Sequence, residues 1–240
     1  DTAMAPTALM RQALTQALHH VRHRMAFQKK LVDQPLMRAV LADLALEVEA
    51  SVALLFRVAR AYDEVAHDPA AARFSRLAVA IAKYHINKRA PGFVYETMEC
   101  LGGNGYVEDG IMARLYREAP LNSIWEGSGN VICLDILRTA QKDPDALMLY
   151  FAELDRVQGQ ARPLDQAVLE LKALWQDAGG LETRARYLAE RMAGCLQAAL
   201  LLDHAPAAIS DGIIMSRLGS EPRGRAYGSL SFAMDETAIL

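Results

Sequence analysis

The chain lacks a charge bias, a cysteine framework and a membrane-length apolar run, and each absence removes a class of function. Its 26 Lys and Arg stand against 29 Asp and Glu, a formal charge of −3, so no global basic footprint points to nucleic acid or an anionic membrane. Three cysteines, Cys100, Cys133 and Cys195, are odd in number and far apart. Each lies among apolar residues and reads as a reduced, buried thiol in a cytoplasmic protein. No apolar run approaches the ~18 residues of a membrane span, and no signal peptide is read. No stretch alternates with period two for long enough to make a confident strand. Repeats and low-complexity segments are also missing. The first residue is Asp1 rather than Met, compatible with a chain that begins part-way through a larger protein.

What is there is helix. Met37, Leu41, Leu44, Val48, Ser51, Leu55, Val58 and Tyr62 step by four and three through Pro35 to Asp63, which predicts one long amphipathic helix with a narrow seam. Pro35 pre-organises its first turn. Before it, Pro6 to about Gln28 reads as a helix. After it, Asp68 is placed as a cap and Pro69 as the first residue of a helix running toward Leu101. Pro91-Gly92 is expected to kink or interrupt that helix, because proline removes a donor and clashes with the preceding turn. "LGGNGY" is expected to end it and form a loop. A short helix covers Gly110 to Arg117 and another runs from near Ser128 to about Gln141. Beyond "KDPD" the composition shifts. Three more helices are read at about Ala146 to Gln158, Pro163 to Asp177 and Leu181 to His204, followed from Ser210 by an irregular or partly helical tail. The fold class is all-α: an up-and-down bundle over residues 1–142 joined to a further helical region over 143–240.

Three short stretches carry chemistry. "RHRMAFQKKL" puts Arg24 and Phe27 three apart at a helix end, where cations complement the dipole. "ETMECLGGNGYVEDG" has Gly102, Gly103 and Gly105, which allow positive φ and close approach to a flat or phosphorylated ligand, or simply stop a helix. "NSIWEGSGN" sets Glu126 between Trp125 and Gly127 at a helix start. There it is either a dipole-stabilised acid or a base beside an apolar wall, where desolvation would raise its pKa.

In this order and spacing the three stretches resemble the C-terminal helical domain of the acyl-CoA dehydrogenase family. "QPLMRAVLADLAL", "MECLGGNGY" and "RLYREAPLNSIWEGSGNVICLDILR" resemble most the AidB-type flavoproteins of the DNA alkylation response, to which helices beyond residue 142 are typical. The resemblance covers Pro6 to about Ala140, and more weakly extends to about His204. It implies FAD as cofactor, an acyl-CoA-like thioester as substrate and a homo-oligomer, dimer or tetramer. Arg24 and Phe27 match contacts to the FAD of a neighbouring subunit. Cys100, Leu101, Gly102 and Gly103 match the segment along the ADP part of the flavin; Glu99 stands where the family usually has Gln. Glu126 matches the α-proton base. Trp125 and Gly127 flank the substrate, and Ser128 and Asn130 match further flavin contacts. Arg138 is read as turning a positive charge toward the pocket, with surface pairing to Asp135 as the other reading. The family's N-terminal helical domain and β-domain are not in these 240 residues, so FAD is not expected to stay with this stretch alone. The AidB-type resemblance also raises double-stranded DNA as a partner. Residues 139–240 disfavour it, with 10 Lys and Arg against 14 Asp and Glu, although Arg184, Arg186, Arg191, Arg217, Arg223 and Arg225 could form a local patch.

Weaker signals remain. His19 and His23 have a metal-ligand spacing but no third ligand, so no metal is assigned. Lys83, Lys88 and Arg89, with Tyr84 and His85 between them, read as a basic, solvated helix face. Met112 reads as core filler and Trp175 as a packing anchor.

Overall fold

The structure is a computed structural model and describes residues 1–177, 179–220, 226–229 and 234–240. Helix α1 spans Met4–His23. It stops short of the expected Gln28: Arg24 turns extended, and Met25–Ala26 (β1) pairs antiparallel with Lys29–Lys30 (β2). Phe27 and Gln28 both take positive φ, 52° and 65°, as a two-residue hairpin turn requires. Neither Gly nor Pro marks this stop in the sequence.

Helix α2 spans Pro35–Glu64 and α3 spans Pro69–Cys100. Both begin on the expected prolines, and the Asp68 carboxylate accepts from the Ala70 amide at 2.9 Å, satisfying one of the orphan donors of the first turn. Pro91 does not interrupt α3. The helix is the central element, packed against α1, α2 and helices α5, α6, α7 and α9 defined below. Burial of residues such as Leu77, Ile81, Ile86 and Phe93 outweighs the roughly 3 kcal/mol a mid-helix proline costs. The seam of α2 is broader than its heptad: Asp43, Leu46, Glu47, Ala50 and Leu54 are buried as well, whereas Tyr62 is exposed. This second face packs against α9 and α10.

The "LGGNGY" segment is not purely loop, since Gly103–Tyr106 makes one helical turn, α4. Helix α5 covers Met112–Glu118, a 3₁₀ turn Ala119–Ser123, and α6 Gly129–Lys142. Then come α7 (Pro144–Asp155), α8 (Arg162–Gln176), α9 (Ala185–His204) and α10 (Ala207–Ile213). A π-helical turn, Ile214–Leu218, follows, and Glu236–Ile239 forms α11. One apolar core runs from Met10 on α1 to Leu196 on α9. Its polar ties include the Tyr150 hydroxyl, which donates to the Met192 carbonyl at 2.8 Å, and Arg57, which donates to Glu153 at 2.5 Å. Cys100, Cys133 and Cys195 are free and buried.

Candidate functional site

The stretch from Asn122 to Asn130 leaves a 3₁₀ turn, passes through a tight turn at Ile124–Gly127 and enters α6 at Gly129, close to the expected start. Ile124 and Trp125 amides fall back on the Leu121 carbonyl at 2.9 and 3.3 Å. Glu126 then takes φ of 52° and Gly127 φ of 105°. Ser128 is the N-cap residue of α6, so Glu126 lies outside that helix. A non-glycine residue at positive φ is uncommon and marks a backbone held by its surroundings. Here the holder is Lys83. Its ammonium, buried on α3, donates to three successive carbonyls: Trp125 at 2.7 Å, Glu126 at 2.7 Å and Gly127 at 2.8 Å. Three donors meet three acceptors, the full capacity of the group. Burial pulls the Lys83 ammonium below its ordinary value, and the nearby Glu126 carboxylate opposes that pull.

Two glycines serve the turn differently. Gly127 supplies a φ that an L side chain rarely adopts. Gly129 is buried where a Cβ would stand 2.7 Å from Lys88 Cε and 3.4 Å from Tyr84 Cε2, so it lets α6 approach α3. The Glu126 side chain itself is exposed. The apolar wall that would desolvate it is not supplied by the described residues. Trp125, Leu121 and Ile124 beside it are exposed apolar groups, and Trp125 and Leu121 border a groove of about 420 Å³ against Leu9 of α1.

The basic face expected to be solvated is corrected by the structure. Lys83 and His85 are buried and Arg89 half-buried; only Lys88 of the four is exposed. Arg89 donates to Glu47 of α2 at 2.9 Å, and Glu47 also accepts from Arg217 at 3.0 Å. Arg217 reaches Asp43 at 2.7 Å. Lys83, expected on a solvated face, is the residue that holds the Glu126 turn. A lysine with Val79, Ala80 and Ile86 one helical turn away was the available signal.

The other candidate residues are spread over the end of α1, the hairpin, the end of α3 and α6. Arg24 ends α1, and its guanidinium has no carboxylate partner among the described residues. Phe27 stands at the hairpin tip, 91% exposed; it is not on a helix end. Cys100 closes α3 with its thiol in the core, where burial pushes it up to about 12. Leu101 follows, then Gly102 at φ 60° and Gly103; a Cβ on either glycine would meet nothing within 4 Å. Ser128 is exposed. Asn130 Oδ1 accepts from Arg186 of α9 at 2.8 Å, a tie from the C-terminal helices to the start of α6. Arg138 is exposed, and its expected surface partner Asp135 is held bidentately by Arg76 instead, at 2.8 and 2.9 Å.

The His19 and His23 rings lie with centroids 4.6 Å apart, tilted by 39°. Among the described residues no three His, Cys, Asp or Glu side chains are grouped to hold a metal ion, and no helix is long and apolar enough to cross a membrane. The arginines of the conjectured DNA patch are engaged elsewhere: Arg184 with Asp177 at 2.7 Å, Arg186 with Asn130, Arg191 with Glu170 at 3.5 Å and Arg217 in the buried network. Arg223 and Arg225 lie outside the described residues.

Against known proteins, residues 1–141 match the family described as acyl-CoA dehydrogenase, C-terminal domain. AidB of Escherichia coli (strain K12) is 47% identical over 172 residues, 72% of this chain and 32% of that one. Acyl-CoA dehydrogenase family member 11 of Caenorhabditis elegans is 29% identical over 225 residues, 85% of this chain and 36% of its own. The chain thus spans about a third of the length of these curated relatives. A crystal structure of the C. elegans enzyme in complex with C11-CoA superposes with a TM-score of 0.83 at 26% identity, over 89% of this chain and 41% of that one. A Bacillus anthracis acyl-CoA dehydrogenase complexed with FAD shares the fold, with a TM-score of 0.60 at 15% identity, over 91% of this chain and 42% of that one.

Proposed function

The chain belongs to the acyl-CoA dehydrogenase family, and from that premise we propose that it supplies the C-terminal side of an FAD-dependent α,β-dehydrogenation of an acyl-CoA thioester, with Glu126 as the α-proton base. The observation that carries this reading is the Lys83 clamp. Three hydrogen bonds fix the peptide of Glu126 and leave its carboxylate out in the open. A general base must be ionised and held within reach of the proton it takes. Lys83 does the holding and Glu126 the accepting. Gly127 leaves room for the thioester backbone, Trp125 limits the space beside it, and Arg138 sets a positive charge further along α6.

The residues present fit FAD. The Arg24 guanidinium is free for a pyrophosphate, which its planar fork suits, and the exposed Phe27 ring beside it fits a partner subunit's cofactor. The segment Cys100, Leu101, Gly102, Gly103 offers backbone open to an ADP moiety, with Ser128 and the Asn130 amide nearer the ring. A bound flavin would supply the hydride acceptor, while Glu126 would take the α-proton. A homo-oligomer, dimer or tetramer, follows from the same reading, since Phe27 at the hairpin tip and Leu36 at the start of α2 are exposed apolar groups. On this reading residues 1–142 carry the flavin and substrate contacts and 143–240 form a helical addition.

The AidB similarity favours a second reading: an AidB-like flavoprotein of the DNA alkylation response, with weak dehydrogenation and DNA association. One experiment separates them. In the complete protein at matched flavin content, acyl-CoA reduces the flavin of the wild type. Glu126→Gln, nearly isosteric, lowers that rate by ~10²–10⁴. Equal rates in both proteins would remove the base assignment. No reduction in either, at any chain length, selects the second reading.

A further inference from the structure

The starts of α6 and α9 meet. Asn130 is the second residue of α6 and Arg186 the second of α9, and Arg186 Nε donates to Asn130 Oδ1 at 2.8 Å. A guanidinium has donors only, so the amide can meet it only through its oxygen. The amide nitrogen, with both its hydrogens, is thereby turned away from Arg186. Among the described residues the Asn130 side chain makes no other hydrogen bond.

The stability of the two helices does not account for this arrangement. A cation in a first turn opposes the positive end of the helix dipole. Neither α6 nor α9 has an acidic residue in its first turn, and Ser128, the N-cap of α6, makes no capping hydrogen bond through its side chain. Lys88 of α3 adds a second cation: a Cβ on Gly129 would stand 3.1 Å from its Nζ. Lys88 and Arg186 both oppose the burial that carries the Cys133 thiol, one turn into α6, up to about 11. Glu190, the acid one turn along α9, is exposed. The Arg186–Asn130 bond is exposed as well, so water competes for it and it adds little to the fold. What it does fix is the orientation of the amide.

We propose that Arg186 is a positioning residue for the flavin: it holds the Asn130 amide by its oxygen, so that the Nδ2 donors face an acceptor of FAD, and through it the helices beyond residue 142 take part in cofactor binding. The proposal rests on the reading of Asn130 as a flavin contact. Arg186 itself lies outside residues 1–141, the part matched to the family domain.

The test is the dissociation constant of FAD, read by quenching of flavin fluorescence as the complete protein, stripped of cofactor, is refilled. Arg186→Met keeps the stem and ends in a methyl where Nε stood; it is expected to weaken FAD by about three- to tenfold, the worth of one ordinary hydrogen bond. Arg186→Gln returns an uncharged donor to the same place and is expected to bind FAD within about twofold of the wild type. Asn130→Leu is expected to weaken FAD at least as much as Arg186→Met, and adding Arg186→Met to it to change nothing further. Thermal unfolding of the cofactor-free proteins should give equal midpoints, since both side chains are exposed.

If Arg186→Gln is as weak as Arg186→Met, the charge acts and not the bond, and the proposal is overturned. Additive effects of Asn130→Leu and Arg186→Met overturn it too, because the arginine then reaches FAD by another route. So does a lowered midpoint in Arg186→Met, which would assign the bond to the fold. If Asn130→Leu weakens FAD while Arg186→Met leaves it unchanged, the positioning role fails and the flavin contact stands. If Asn130→Leu itself leaves FAD affinity unchanged, the contact fails and the proposal with it.

Discussion

Lys83 and Arg89 sit six residues apart on one helix, and each is withdrawn from solvent in an opposite manner. Lys83 has no carboxylate among its hydrogen-bond partners: three uncharged carbonyls replace its water, and burial pulls its ammonium down against the weaker opposing pull of the Glu126 charge. Arg89 faces a full carboxylate, Glu47, and lies over the Tyr227 ring at 5.0 Å. Burial works against its charge too, but Glu47 overcomes it and the guanidinium stays above its ordinary value. Glu47 in turn is held well below the usual carboxylate range. Burial would raise it, and Arg89 and Arg217 together prevail. The contrast separates two tasks. A cation among carbonyls positions backbone, because each hydrogen bond fixes a peptide plane. A cation among carboxylates closes a charge balance between helices, here α2, α3 and the π-helical turn.

Breaking the second arrangement is expected to have the larger effect. Glu47→Ala strands Arg89 in the interior and leaves Arg217 with Asp43 alone, and removal of one partner of a buried pair costs about 3–5 kcal/mol. Urea unfolding measures it. A loss within about 0.5 kcal/mol would mean that the network is solvated in practice and that the contrast with Lys83 is false.

His85 tests the same cluster by pH. Burial lowers its imidazole to about 4, Arg89 and Arg217 add to this, and Glu47 opposes it. The unfolded chain therefore takes up a proton first, as pH falls below about 6.5. Stability is full above that pH and declines down to about 4, where the folded state is protonated too, by about 3 kcal/mol in all. His85→Gln is expected to flatten this part of the profile. An unchanged slope in the variant would assign it to other groups.

The smallest of the three is Lys83→Met, expected to cost about 1.5–3 kcal/mol, the range for hydrogen bonds to a charged group. Its sharper readout is local. Amide exchange across residues 124–128 should accelerate while α9 exchanges as before. If both regions change together, the lysine supports the core at large rather than the turn.

Much of the bundle was legible because its signals are local. Pro35, and Asp68 with Pro69, mark helix starts through their own backbone geometry, and periodicity located α2. The end of α1 was not legible, because the hairpin at Phe27 is stabilised by pairing between β1 and β2 rather than by a breaker residue. Pro91 leaves α3 unbroken, since its penalty is local and its compensation comes from the helices packed around α3. The Glu126 turn was visible as a motif, but its geometry was not: the group that shapes it lies 43 positions earlier, on α3. Lys83, His85 and Arg89 looked like a solvated face for the same reason. Their partners belong to α2, to the turn and to a segment beyond residue 213, and nothing in the local pattern announces them.

Because Lys83 points one way from α3 and His85 and Arg89 point another, the helix is fixed against rotation about its own axis. A residue deleted or inserted between Lys83 and Arg89 would turn everything beyond it by about 100°. Either the turn would lose its ammonium or the carboxylates of α2 would lose their arginine; no adjustment restores both. In a lineage of such chains, the six-residue interval from Lys83 to Arg89 should admit substitution far more readily than any change of length.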